Sequence, residues 1–192
     1  MSPETSPKRM SKDDRREQIL DAAARVVARV GLAGASTDVI AAEAGVSQPY
    51  VVRTFGGKQP LLDALFQRVS DRVVAAFENA PVQGDAAECL GQAYMRLVED
   101  RDVLLLLMHG FTAAGSEPVI GDTVRGCVDT VQRICRERLG SDARAADFVA
   151  QGMLLNVLLC LDSWNHPDLP DLTALATTAA SAAELVAKGQ GR

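Results

Sequence analysis

The stretch Ser36–Lys58, STDVIAAEAGVSQPYVVRTFGGK, reads as two short helices joined by a tight turn. Ser36 or Thr37 is a good N-cap for the first, which runs through Val39, Ile40, Ala41 and Ala44. Gly45 ends it, because glycine accepts the left-handed backbone that a helix C-terminus favours. Val46 is an apolar plug between the helices. Ser47 caps the second, and Pro49 falls in its first turn, where a missing N–H costs nothing. Helix, glycine-containing turn and helix together make a helix-turn-helix unit.

At about 3.6 residues per turn the second helix has two faces. Val51 and Phe55 point one way, with Val52 at the edge. Tyr50, Arg53 and Thr54 lie on the other side, and Gln48 and Pro49 stand beside that face at the helix start. Arginine and glutamine can bond base edges in pairs, and threonine and tyrosine can reach phosphates or a thymine methyl. A solvated polar face on an ordinary short helix would have the same composition.

Working outward, residues 13–31 form a supporting helix. Ile19, Ala23, Val26, Val27 and Val30 make its apolar stripe, and Gly31 is its C-cap. Arg15 and Arg16 near its start are candidates for phosphate contacts. Ile40, Val46, Val51 and Phe55 complete a small three-helix core. Gly56-Gly57-Lys58-Gln59-Pro60 is the next break. The helix after it offers free N–H groups and a positive dipole end, a natural phosphate site to which Lys58 adds a charge.

The residues Ile19-Leu20-Asp21-Ala22-Ala23, Gly31, Ile40-Ala41 with Ala44-Gly45-Val46-Ser47, Phe55, Lys58 and Leu61-Leu62 are similar to the DNA-binding domain of TetR-family transcriptional regulators. The resemblance spans roughly residues 13–66. It implies a DNA-binding set of Thr37, Gln48, Pro49, Tyr50, Arg53, Thr54 and Lys58, with Lys58 on a phosphate. Such regulators usually carry a phosphate-contacting tyrosine where this chain has Val52, and Tyr50 is the candidate to replace it.

The rest of the 192 residues bounds the class. The chain is 47% hydrophobic with few aromatics, and period 3.6 dominates, so the expected fold is all-α. It comprises an N-terminal three-helix helix-turn-helix domain and a C-terminal helical ligand-binding and dimerisation domain. The expected divisions are a disordered basic arm at 1–12, the DNA-binding domain at 13–58 with its helix-turn-helix at 36–55, a connecting helix at 59–80 and the effector and dimerisation domain at 81–188. Lys8, Arg9 and Lys12 would place charge in the arm. The connecting helix can act as a lever between head and body. The net charge of −5 hides an asymmetry: residues 1–58 hold nine Lys/Arg against seven Asp/Glu, and the remainder eleven against eighteen. A mildly basic head on an acidic body suits DNA contact at one end.

The longest uninterrupted apolar run, Val103–Met108, is too short to cross a bilayer, and the N-terminus lacks the apolar core of a signal peptide. A cytoplasmic protein with no membrane partner is expected. Cys89, Cys127, Cys135 and Cys160 are widely spaced, and His109 and His166 fall in no ligand pattern, so no metal or cofactor is expected and the thiols read as reduced and mostly buried.

Body helices are expected at about 85–99, 101–114, 117–139, 142–164 and 171–188. The first three carry apolar residues that could line a pocket for a small apolar effector, with Tyr94, Met108, His109 and Phe111 as candidate contacts and Tyr94 or His109 as the polar anchor. The same residues could simply fill a core. The fourth helix is apolar on several sides, and a partner subunit would cover it. Phe148, Met153, Leu155 and Leu159 are the candidate dimerisation residues, and the Ala-rich 174–187 would let a second helix approach. TetR-like proteins form a dimeric four-helix bundle from their last two helices, which implies a homodimer on double-stranded operator DNA. The resemblance also implies a repressor released by a small effector. The alternative reading is a helical dimerisation or adaptor module that has lost specific DNA binding. No catalytic signature supports an enzyme.

Overall fold

The computed structural model describes residues 11–187, with side chains through residue 180. Lys8 and Arg9 of the expected basic arm, and residue 188 at the expected end of the last domain, lie outside the described residues. No strand occurs among the described residues. The chain divides into two compact units between Leu65 and Phe66, inside a helix and not at a linker.

The first unit starts at α1, Lys12–Gly34. Ser11 caps it: its Oγ accepts from the Asp14 N–H at 3.0 Å, and the Asp14 carboxylate accepts from the Ser11 N–H at 3.2 Å. This reciprocal pair satisfies two N–H groups that a helix start leaves unbonded. Ser11 and Lys12 thus belong to the helix start and not to an arm. The helix breaks at Gly31, which has φ 70°, and a further turn reaches Gly34. Ile19, Leu20, Ala23, Val26 and Val27 are buried, but Val30, expected in the same stripe, is exposed.

α2, Thr37–Ala44, is capped by Ser36, whose Oγ accepts from the Val39 N–H at 3.2 Å. Gly45 follows in the left-handed conformation. α3, Gln48–Phe55, has Ser47 at its N-cap position, without a side-chain capping bond. Gln18 of α1 donates to the Ala44 carbonyl at 2.8 Å, satisfying an acceptor at the end of α2. Arg25 and Arg29 of α1 pair with Glu43 of α2 at 2.8 and 3.4 Å. Arg25 and then Arg29 hold the Glu43 carboxyl below its ordinary range, against a smaller opposing effect of burial. Three helices with Ile19, Val26, Val27, Ile40 and Val51 at 0% exposure make a small closed core.

α4, Lys58–Glu78, begins in the first unit and ends in the second. The turn before it needs glycine twice, with φ 94° at Gly56 and 137° at Gly57. The second unit continues through α5 (Ala86–Val98), α6 (Arg101–Ala113), α7 (Pro118–Leu139), α8 (Asp142–Cys160) and α9 (Pro170–Ala187). Asp85, Asp100 and Ser141 cap α5, α6 and α8 through their side chains.

The fourth body helix, expected to run to 164, stops at Cys160. Asp162 takes a left-handed φ of 52°, a 3-10 turn follows at Ser163–Asn165, and the Ser163 hydroxyl donates to the Leu158 carbonyl at 2.9 Å. A short polar side chain that tolerates this backbone, plus a hydroxyl for an orphan carbonyl, ends the helix without a glycine. α8 is long and apolar enough, by length and composition, to cross a membrane. It packs instead against α6, α7 and α9 within its unit.

Candidate nucleic-acid interface and ligand cavity

The exposed stripe of α3 is Pro49, Val52, Arg53 and Gly56, spaced three and four residues apart. Val52, expected at the edge of the buried face, is 37% exposed and stands beside Arg53. Tyr50 and Thr54, expected to face fully outward, are half-buried. The helix turns its apolar side through Val51, so the face opposite Val51 passes through 49, 52 and 53.

Apart from Pro49, each expected contact residue has a defined partner. The Arg53 guanidinium lies over the Tyr50 ring, 4.9 Å from its centre. Such stacking holds the guanidinium plane in place while leaving its N–H edge free to meet a base or phosphate. Gln48 Nε2 donates to Thr37 Oγ1 at 3.2 Å, joining the starts of α3 and α2. Thr54 Oγ1 donates to the Tyr50 carbonyl at 2.8 Å, so its proton is committed to the helix. Lys58 Nζ donates to the Ala33 carbonyl at 3.3 Å. Arg16, a candidate phosphate contact, stacks on the Phe55 ring at 4.4 Å, and Arg15 donates to Gln18 Oε1 at 2.8 Å.

The second unit encloses a cavity of about 690 Å³ between α4, α5, α6, α7, α8 and the segment after α8. Phe66, Val69, Val73 and Phe77 of α4 form one wall. Gly110 of α6 is there because a Cβ would lie 3.2 Å from both Phe66 and Val124, so a side chain would push α6 off these neighbours. The Phe77 ring meets Tyr94 at 5.5 Å and Phe148 edge-on at 6.4 Å.

Of the expected effector contacts, Tyr94 and Phe111 line the cavity, whereas Met108 and His109 do not. α6 presents Leu106, Leu107 and Gly110 instead, which sets Met108 and His109 on a different face. The expected dimerisation residues Phe148, Met153, Leu155 and Leu159 also line the cavity. The apolar positions that α8 leaves exposed are Val157 at 42% and Leu161, just past its end, at 53%.

Asn156 went unnoticed in the sequence. It is 2% exposed on α8, and its Oδ1 accepts from the Tyr94 hydroxyl at 2.9 Å. A lone amide inside the apolar run Leu154–Cys160 was the available signal, since a buried polar group needs a partner. Burial pushes the Tyr94 phenol up to about 12, against the smaller lowering effect of the Asn156 bond. Burial likewise raises the thiols of Cys127 and Cys160, and that of Cys135 to about 11. Cys127 donates to the Ser70 carbonyl of α4 at 3.8 Å. Protonated thiols are poor nucleophiles. All four cysteines are free, with Cys127 and Cys135 buried and Cys89 and Cys160 partly so. Among the described residues no cluster of three or more His, Cys, Asp or Glu could hold a metal ion.

Residues 19–65 match the family profile of the bacterial regulatory proteins, tetR family. Over 175 residues, 84% of this chain and 77% of its counterpart, the sequence is 27% identical to the HTH-type transcriptional activator FasR of Mycolicibacterium smegmatis.

Residues 19–65 are a TetR-family domain.

That domain is the DNA-binding head of transcriptional regulators, and α2 and α3 are its helix-turn-helix. The fold extends through the body. A transcriptional regulator from Rhodococcus sp. Rha1 superposes with a TM-score of 0.68 at 22% identity, over 92% of this chain and 98% of that one. The multidrug binding protein EbrR, complexed with proflavin, superposes with a TM-score of 0.53 at 22% identity, over 86% and 99%.

Proposed function

We propose that this TetR-family regulator is a homodimer that reads a palindromic operator through α3 and changes its grip on DNA when a small molecule enters the body cavity. The observation that carries this reading is the pairing, in one chain, of an exposed Arg53-bearing helix with a largely apolar cavity. The two occupy separate units, and the single helix α4 enters both. In the head, Arg53 and Val52 contact base edges, Gln48, Pro49, Tyr50 and the Thr54 methyl flank them, and Thr37 and Lys58 hold the phosphate backbone. The Lys58 ammonium has three N–H donors, so it can reach a phosphate with or without the bond to the Ala33 carbonyl. The ligand-bound structure of EbrR supports a similar use of the cavity.

Dimerisation is proposed on the exposed face that includes Val157, Leu161 and, on α9, Leu175 at 48% exposure. A two-fold dimer presents two α3 helices to half-sites about 34–36 Å apart, or a multiple of that. By linkage, an effector that lowers operator affinity must bind the non-operator arrangement more tightly, and DNA must weaken the effector by the same factor. We propose the repressor mode, in which the effector releases the operator. FasR, named an activator, makes the sign of regulation part of the test.

The test begins with selection of binding sites from random duplex DNA by the purified protein, at a stated salt concentration. A palindrome with half-sites at helical-turn spacing is expected, and a reporter carrying that site should be repressed. A monomer in sedimentation, or a selected site without two-fold symmetry, would remove the dimer. Val157→Asp together with Leu161→Asp should yield monomers. Val52 in place of the usual tyrosine favours one second reading, an adaptor that no longer reads DNA. Recovery of no enriched sequence, after refolding to strip bound ligand, would establish that reading instead.

A further inference from the structure

The chemistry of the effector can be narrowed from the cavity walls, taking the effector reading of this site as given. Among the described residues, no lysine, arginine or histidine lines the 690 Å³ cavity. The one carboxylate that the described residues give it is Glu88, which is exposed and accepts a hydrogen bond from Gln92 at 3.0 Å, so this charge sits at the mouth. Tyr94 and Cys127, the remaining ionisable groups on the wall, stay neutral at physiological pH because burial raises both. A shallower depression beside the cavity is bordered by Arg125 and Asp129, but Arg125 is 62% exposed and paired to Asp122 at 2.6 Å.

A charge brought into such a space loses its hydration and meets no opposite charge, which costs far more than burying a neutral polar group that is hydrogen-bonded. One polar feature inside is built to receive such a group. The Tyr94 hydroxyl spends its proton on Asn156 Oδ1, leaving the phenol oxygen as an acceptor. The Asn156 amide is 2% exposed, and its Nδ2 has only a 4.0 Å contact to the Met153 sulfur. The pair therefore offers one acceptor and one under-used donor on a mostly apolar wall, where Ser70, Gln92 and Gln151 are the other neutral polar side chains and Gln151 Oε1 is a second buried acceptor.

We propose that the cavity selects uncharged, largely apolar molecules bearing one neutral hydroxyl or carbonyl, seated against Tyr94 and Asn156, and rejects carboxylates and ammonium ions of the same shape. Selection by charge leaves the length and branching of the apolar part free, and the volume sets its upper size.

Three probes with one chain and different heads test this on the intact protein: 1-decanol, decanoate and decylamine. They are optically silent, and Trp164, the only tryptophan in the chain, lines the cavity and reports occupancy by its emission. Titration calorimetry gives an independent affinity. At neutral pH, 1-decanol should bind about tenfold or more tighter than either charged probe. Tyr94→Phe should weaken 1-decanol about fivefold, the loss of one neutral hydrogen bond, with the helical circular dichroism unchanged. Decanoate or decylamine binding as tightly as 1-decanol would overturn the charge selection and leave the effector reading standing, with Arg125 or Glu88 as the respective anchor. Unchanged 1-decanol affinity in Tyr94→Phe would overturn the seat. Failure of all three probes to bind would sink the effector reading itself, and this inference with it.

Discussion

α3 and α8 use apolar residues in opposite ways. α3 has eight residues, of which only Val51 is fully buried, and its remaining surface carries Arg53, Gln48 and the exposed Val52. α8 has nineteen residues and is apolar nearly all round, yet only Ala145, Asn156 and Leu158 are buried. The rest of α8 is divided among a cavity wall at Phe148, Met153, Leu155 and Leu159, the packing of Leu154 and Leu155 on α9, and an open face at Val157. In α3 one apolar side leaves the other side free for chemistry, so a helical wheel separates them. In α8 three apolar surfaces have the same composition, and only neighbouring helices tell them apart.

If head and body differ this way, they should also fail separately. Ile40→Ala removes a fully buried side chain from the small head core and should cost about 2–5 kcal/mol there. In urea, far-UV circular dichroism should then show an early partial transition while Trp164 emission in the body keeps its midpoint. A joint shift of both signals would break the contrast and make the molecule one cooperative unit.

Alkaline titration sharpens the body side. The unfolded phenol ionises near 10 and the folded Tyr94 near 12. Below pH 10 both states hold the proton, so stability is at its full value with respect to this group. Between about 10 and 12 the unfolded chain releases its proton first, and stability falls by an amount on the order of 3 kcal/mol. Absorbance at tyrosinate wavelengths should show a component near pH 12 that Tyr94→Phe removes. Ionisation of that component near 10 in the folded protein would mean the phenol is not held in an apolar wall.

On the head side, Arg53→Ala should cost about 1–3 kcal/mol on the selected operator and leave affinity for random duplex nearly unchanged. Equal losses on both would make Arg53 a phosphate contact, and Val52 the better candidate for base reading. Lys58→Ala should have the smallest effect. It weakens all sequences alike and lowers the salt slope by about one, read from affinity against salt concentration. An unchanged slope would mean that Lys58 neutralises no phosphate.

Much of the head was legible because its signals are local. Ser36, Gly45, Pro49 and the Gly56-Gly57 pair each dictate a backbone conformation through their own sterics or hydrogen bonding, and the helix boundaries there fall where those residues place them. Val52 and Val30 were misjudged because a helical wheel gives an angle and not the width of the groove that receives it. The end of α8 was missed because Asp162 in a left-handed conformation and the Ser163 bond to Leu158 carry no glycine or proline signal.

By itself, then, the chain's sequence determined an all-α fold, the starts and stops of the two helices of the helix-turn-helix, and the family to which that head points. Those properties depend on interactions within a few residues, or on one repeating period. Only the tertiary structure decided that Met108 and His109 stand off the cavity wall and that Phe148, Met153, Leu155 and Leu159 stand on it. It alone joined Tyr94 to Asn156, 62 residues apart. Which side of an apolar helix meets a core, a cavity or open solvent is set by the helices packed around it, and periodicity within one segment carries no record of those neighbours.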